Sequence, residues 1–160
     1  MEEVSLIQML DARERRVHHQ QELLARYGKP LVCFTMNIAG PVKDTPLIRR
    51  GFARGRQLLE RQFLRCRWTP LSTDVSRAVT GCEAFYVLDA SPLEIKRLTT
   101  LVEDASPLGR LFDMDVLCPD GRKVDREELQ LEGRRCLLCG GPAKVCSSRR
   151  VHTVAALQEK

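Results

Sequence analysis

The chain has 160 residues, enough for one ordinary domain with a sizeable core, and its 43% hydrophobic and 29% charged residues are the balance of a folded globular protein, which excludes wholesale disorder. No apolar run approaches a membrane span, and the start Met1-Glu2-Glu3-Val4 lacks a basic stretch followed by an apolar one, so a cytoplasmic protein without membrane partners is expected. The net charge of +5 rests on 20 Arg against 6 Lys, and guanidinium forks grip phosphates and carboxylates; the partners this fits are a polyphosphorylated small molecule or an acidic protein, while the 5% aromatic content offers no stacking platform and disfavours nucleic acid.

Ser5 to Tyr27 reads as a helix with Ile7, Leu10, Val17, Leu23 and Leu24 as its apolar positions and Gly28 as its stop. Arg13 and Arg16 share one face of it, as a grip for a phosphate or an acidic partner or as part of a solvated charged face. His18 and His19 have no ligand-like companion nearby and read as surface residues.

Leu31 to Ala39 is β-prone and runs into the loop Gly40-Pro41-Val42-Lys43-Asp44-Thr45-Pro46. Thr45-Pro46 caps a helix expected from about Leu47 to Leu64, so Lys43 and the loop amides form either a phosphate cradle or a plain strand-to-helix turn; Arg49 and Arg50 lie nearest that loop. Cys66 to Thr69 and Asp74 to Val79 read as modest strands or irregular structure, Gly81 to Leu88 as a better strand, and Pro92 to about Glu103 as a helix with Leu93, Ile95, Leu98, Leu101 and Val102 as its apolar positions.

The stretch Ser106 to Leu117 places Asp113 and Asp115 inside the apolar run Leu111, Phe112, Met114, Val116 and Leu117. On a strand, residues i and i+2 project from one face with Cα atoms about 6–7 Å apart, so the two carboxylates can converge on one hard cation such as Mg²⁺. The plain alternative is a strand with one solvated face. Gly109 permits close backbone approach, and Arg110 sets a bidentate phosphate donor beside the acids. Pro119-Asp120-Gly121-Arg122 reads as a tight turn, with Lys123 to Asp125 returning as the second strand of a hairpin. Helices and strands mix without regular alternation, so the expected fold is α+β: one domain over 1–160, a mixed sheet flanked by helices, and a small Cys-rich hairpin over 133–152.

Seven cysteines without a secretory leader point to thiols or metal ligands rather than a disulfide framework. Cys136, Cys139, Cys146 and His152 have the spacing C-x2-C-x6-C-x5-H, which a tetrahedral structural Zn²⁺ site accommodates; packed reduced thiols and a redox pair are the other readings. Cys33, Cys66, Cys82 and Cys118 read as inert core cysteines.

Gly40-Pro41-Val42-Lys43-Asp44, Arg49-Arg50-x-Phe52, Pro107 to Val116, and Arg134 to Cys139 with Cys146 and His152 closely resemble, in order and over nearly the whole chain, the apo-citrate lyase phosphoribosyl-dephospho-CoA transferases, or citrate lyase holo-[acyl carrier protein] synthases. The Arg13-Glu14-x-Arg16 segment is similar as well. The resemblance implies a nucleotidyltransferase-like enzyme that moves the 2′-(5″-phosphoribosyl)-3′-dephospho-CoA group from triphosphoribosyl-dephospho-CoA to a serine of the citrate lyase acyl carrier (gamma) subunit, releasing diphosphate. It implies Asp113 and Asp115 as Mg²⁺ holders, Arg110, Lys43, Arg49 and Arg50 with Gly109 at the phosphates, and Arg13 and Arg16 toward the triphosphate tail or the carrier. For the serine proton two readings stand: a metal-bound environment lowers the serine pKa sufficiently, or Asp44, Asp125 or Glu128 assists as general base. Two rivals stand beside this reading: the same transfer to a malonate decarboxylase carrier, and a non-catalytic zinc-knuckle RNA-binding module.

Overall fold

The computed structural model of the chain describes residues 2–132. The chain divides into two compact units, the first running to Lys123 and the second from Val124 onward.

The first unit opens with α1 (Leu6–Tyr27). The Ser5 hydroxyl accepts the Gln8 N–H and the Gln8 side chain returns to the Ser5 N–H, a reciprocal cap, while Gly28 ends the helix at φ 61°, a left-handed turn that costs glycine nothing. Then follow β1 (Leu31–Met36) and α2 (Pro46–Arg65), which Thr45 caps through the Ile48 N–H and Pro46 opens as foreseen. A tight hairpin, β2 (Ser72–Ala78) and β3 (Gly81–Val87), leads to α3 (Pro92–Asp104), a short 3₁₀ turn (Pro107–Leu111) and β4 (Phe112–Leu117). The second unit carries α4 (Arg126–Glu132), entered through a hydrogen bond from the Asp125 N–H to Glu128 Oε2.

Among the described residues the sheet has 4 strands in the order β2-β3-β1-β4. Every pairing is antiparallel, so the expected mixed sheet is corrected. The reason lies in the connections: β3 inserts between β1 and β2, and β1 between β3 and β4, so each helical crossover skips a strand and its two strands never pair. From β1 to β4 this is the split β-α-β arrangement doubled, a ferredoxin-like α+β unit with α1 added in front. Cys66 to Thr69 forms no strand, since Arg67 turns the chain at φ 60°. The return strand expected at Lys123 to Asp125 shrinks to one isolated bridge between Leu117 and Lys123.

The two sheet faces differ. On one, α2 packs its aromatic residues: Phe52 stacks on Phe34 at 4.7 Å, and Phe112 meets Phe34 edge-on at 5.3 Å. Gly55 makes this possible, because a Cβ there would lie 2.4 Å from Phe34 Cζ. Each such buried ring contributes about 1.5–3 kcal/mol. On the other face Leu23 and Leu24 of α1, with Tyr27 beside them, cover Leu31, Cys33, Phe85, Val87 and Leu117. Nearer its start α1 also buries Ala12. Ile7, Leu10 and Val17, read as apolar positions of the helix, are 71%, 47% and 45% exposed, since they lie off the face that carries Ala12, Arg16 and Leu23.

Candidate active site

The acids of β4 sit on the face that α1 covers. Asp113 lies opposite Thr35 and Asp115 opposite Cys33 across β1, and Thr35 and Cys33 in turn lie opposite Glu83 and Phe85 of β3. In an antiparallel ladder laterally paired residues share a face, so Glu83, Thr35 and Asp113 make one row and Phe85, Cys33 and Asp115 the next. Asp113 is exposed and Asp115 half-buried.

Partial burial holds the Asp113 carboxyl above its ordinary value, and the charge of Asp115 and a hydrogen bond with it push the same way. Lys123 opposes this, its Nζ lying 3.0 Å from Asp115 Oδ1. The two carboxylates thus press on each other, a strain that a divalent cation between them could relieve. Among the described residues no group of three or more His, Cys, Asp and Glu is gathered for a metal; Asp113 and Asp115 are the carboxylates that could hold one, and Mg²⁺ commonly takes one or two carboxylates with water and phosphate oxygens.

Above these rows α1 turns polar. Arg16 Nε donates to Glu83 Oε2. His19 lies edge-on to Phe85 at 4.6 Å, with Nε2 3.1 Å from Asp74 Oδ2. Gln20 reaches the Cys33 thiol, which burial pushes up to about 12, so this cysteine is no nucleophile at neutral pH. An open groove of about 540 Å³ continues from Glu83 and Phe85 past Arg15 and His19 to β2. Glu83 and His19 were missed in the sequence. The signal for Glu83 was the one that exposed Asp113, an acid inside an apolar strand; His19 carried none, since its role depends on which strand lies under the helix.

Arg110 is exposed on the turn leading into β4. Gly109 is buried, and a Cβ there would lie 2.1 Å from the Glu103 carbonyl oxygen, so its lack of a side chain lets the turn close on the end of α3. Lys43 Nζ donates to the Ile38 carbonyl and ties the loop to the end of β1. Arg49 forms a two-pronged pair with Asp44, Nε to Oδ1 at 2.8 Å and Nη2 to Oδ2 at 3.0 Å, which holds the Asp44 carboxyl below its ordinary value. Asp44 is thereby a weak base. Arg50 is exposed at the rim of an apolar groove lined by Met36, Ile38, Leu47, Leu108 and Leu111. Arg13 is exposed on α1, while Arg16 is held by Glu83. Cys136, Cys139, Cys146 and His152 lie outside the described residues.

The fold and site define a ferredoxin-like α+β protein with a carboxylate pair on an edge strand. The family model described as apo-citrate lyase phosphoribosyl-dephospho-CoA transferase matches residues 4–160, and the chain belongs to that family. It is 38% identical over 158 residues to a probable apo-citrate lyase phosphoribosyl-dephospho-CoA transferase of Vibrio cholerae, covering 98% of this chain and 89% of the relative. A transferase of the same name from Citrobacter koseri is 35% identical over 154 residues, 96% of this chain and 84% of its own. No helix among the described residues is long and apolar enough to cross a membrane.

Proposed function

We propose that the chain transfers the 2′-(5″-phosphoribosyl)-3′-dephospho-CoA group from triphosphoribosyl-dephospho-CoA to a serine of the citrate lyase acyl carrier subunit. The serine oxygen forms a bond to the ribosyl-linked phosphorus, the bond from that phosphorus to the departing diphosphate breaks, and the serine proton passes to a base. The observation that carries the reading is the family match over residues 4–160, which includes the Asp113 and Asp115 pair.

Asp113 and Asp115 are the residues that would hold Mg²⁺, which when bound supplies charge neutralisation at the phosphates. Arg110, exposed where β4 begins, is the nearest guanidinium in sequence to the pair and binds a phosphate bidentately. Arg50 is exposed and open to an anion, whereas Lys43 and Arg49 shape the loop through Ile38 and Asp44 and reach phosphate only by exchanging those partners. Arg13 faces solvent and suits the carrier or the far end of the donor. The nucleotidyl-transfer chemistry is supported by the acid pair; Asp125 and Glu128, named as bases from the sequence, belong to the second unit, where the Asp125 N–H donates to Glu128 Oε2.

The test is to incubate protein, donor, Mg²⁺ and the apo carrier subunit, and to weigh the intact carrier with and without chelator. A mass gain of one phosphoribosyl-dephospho-CoA group, lost with chelator, supports the reading. Gain on a malonate decarboxylase carrier instead would reassign the acceptor, and tight salt-sensitive RNA binding without any gain would replace the enzyme reading. Asp113→Asn and Asp115→Asn should each lower transfer at least about a hundredfold while the far-ultraviolet dichroism stays unchanged. Cys136, Cys139, Cys146 and His152 are proposed as a structural Zn²⁺ site; elemental analysis of protein purified without chelator should then find about one zinc per chain, and Cys139→Ser should remove it.

A further inference from the structure

Among the described residues β4 lies at one edge of the sheet, with β1 as its neighbouring strand and a single bridge from Leu117 to Lys123. Along such a strand, alternate residues turn their N–H and C=O toward the neighbour and away from it. Met114, between the two acids, turns both groups away. An unpaired edge frays and slips, and a slip of one residue would reverse every side chain. Here two charged side chains of α3 take up these outward groups: the Met114 N–H donates to Glu103 Oε2 at 3.2 Å, and Lys96 Nζ donates to the Met114 carbonyl at 3.1 Å. Lys96 and Glu103 are about two helical turns apart and so share a face of α3.

Lys96 is only 5% exposed. Burying an ammonium is expensive, and an apolar side chain would fill the same space with no desolvation cost. Packing therefore does not account for a lysine here, whereas a donor aimed at one backbone carbonyl does. The other end of the clamp is set by Gly109, whose missing side chain lets the turn before β4 close directly on the Glu103 carbonyl. One helix thus grips the residue between the two aspartates and the turn that feeds them.

We propose that Lys96 and Glu103 are positioning residues that fix Met114 and, through it, the separation and shared face of the Asp113 and Asp115 carboxylates. This rests on the reading of that pair as the holder of a divalent cation. Supporting groups of this kind change metal affinity by roughly 10–100-fold when removed.

Three readouts test it on the full chain: Mn²⁺ affinity by paramagnetic resonance titration, hydrogen exchange at the Met114 amide, and kcat and KM for the carrier. Glu103→Leu should speed Met114 exchange and weaken Mn²⁺ about tenfold, lowering kcat with the carrier KM unmoved. Glu103→Gln, whose amide oxygen accepts the same N–H, should restore both the protection and most of the affinity. Lys96→Met should weaken Mn²⁺ similarly; if it does not fold, the two Glu103 variants decide alone. Unchanged exchange and affinity in Glu103→Leu, with Mn²⁺ lost in Asp113→Asn, would overturn the clamp and leave the metal pair standing. Failure of Glu103→Gln to rescue would equally overturn it, by assigning the effect to charge. Mn²⁺ retained in Asp113→Asn would overturn the metal reading first and the clamp with it.

Discussion

Asp44 shows how a residue that reads as chemistry becomes architecture. Its carboxylate takes both prongs of Arg49, so the guanidinium is engaged and the carboxyl is held below its ordinary value. An acid whose value is depressed on folding contributes stability above its unfolded value, and that contribution is lost as pH falls through the folded one. Asp44→Asn should thus lower the melting temperature by about 1–2 °C at pH 7, with the gap to the parent closing below about pH 4. A gap that stays constant from pH 7 to pH 3 would show that the pair contributes through shape alone. Glu83 is the counterpart on the sheet: it was unremarked as an acid in an apolar strand, and it now anchors Arg16 of α1 over the row that ends in Asp113.

At the scale of elements, the turn Pro107–Leu111 decides where β4 begins. Ser106 caps it by accepting the Gly109 N–H, and Gly109 presses on backbone rather than on a flexible side chain. Backbone cannot step aside as a side-chain tip can. Gly109→Ala is expected to cost about 2–4 kcal/mol, read as a fall in the denaturant midpoint with an unchanged slope. The contrast is Gly28, where φ is positive but nothing lies within 4 Å, so replacement there strains only the backbone and costs about 1 kcal/mol. The helix α1 mixes two kinds of contact: Ala12, Leu23 and Leu24 are buried, while Arg16, His19 and Gln20 reach Glu83, Asp74 and Cys33.

For the molecule as a whole, the charge of +5 meets a donor and an acceptor that are both anionic in the proposed reaction. Attraction of this kind acts on encounter and fades as salt shortens its range. Between 50 and 300 mM salt, kcat/KM for the donor should fall about five- to tenfold while kcat holds steady. A kcat that falls in parallel would place the arginines in the chemical step instead. The family match spans residues 4–160 and thus both compact units, and it gives the Cys-rich stretch a place in the family's sequence.

The helices and their ends were legible from the chain alone, because Ser5, Gly28, Thr45 and Pro92 are local signals whose physics involves only neighbouring residues. The shared face of Asp113 and Asp115 was legible for the same reason, since period-2 geometry needs no partner strand. Strand order was not. That β3 enters between β1 and β2 and makes the sheet wholly antiparallel is a choice among distant pairings of similar local propensity. Nor could the chain reveal that Ile7, Leu10 and Val17 stay exposed, that His19 meets Phe85, or that Lys96 and Glu103 close on Met114, for each depends on which element packs beneath or beside it. Local sequence determined the pieces and the chemistry they carry; tertiary packing alone decided which charges are engaged and which stay open to a substrate.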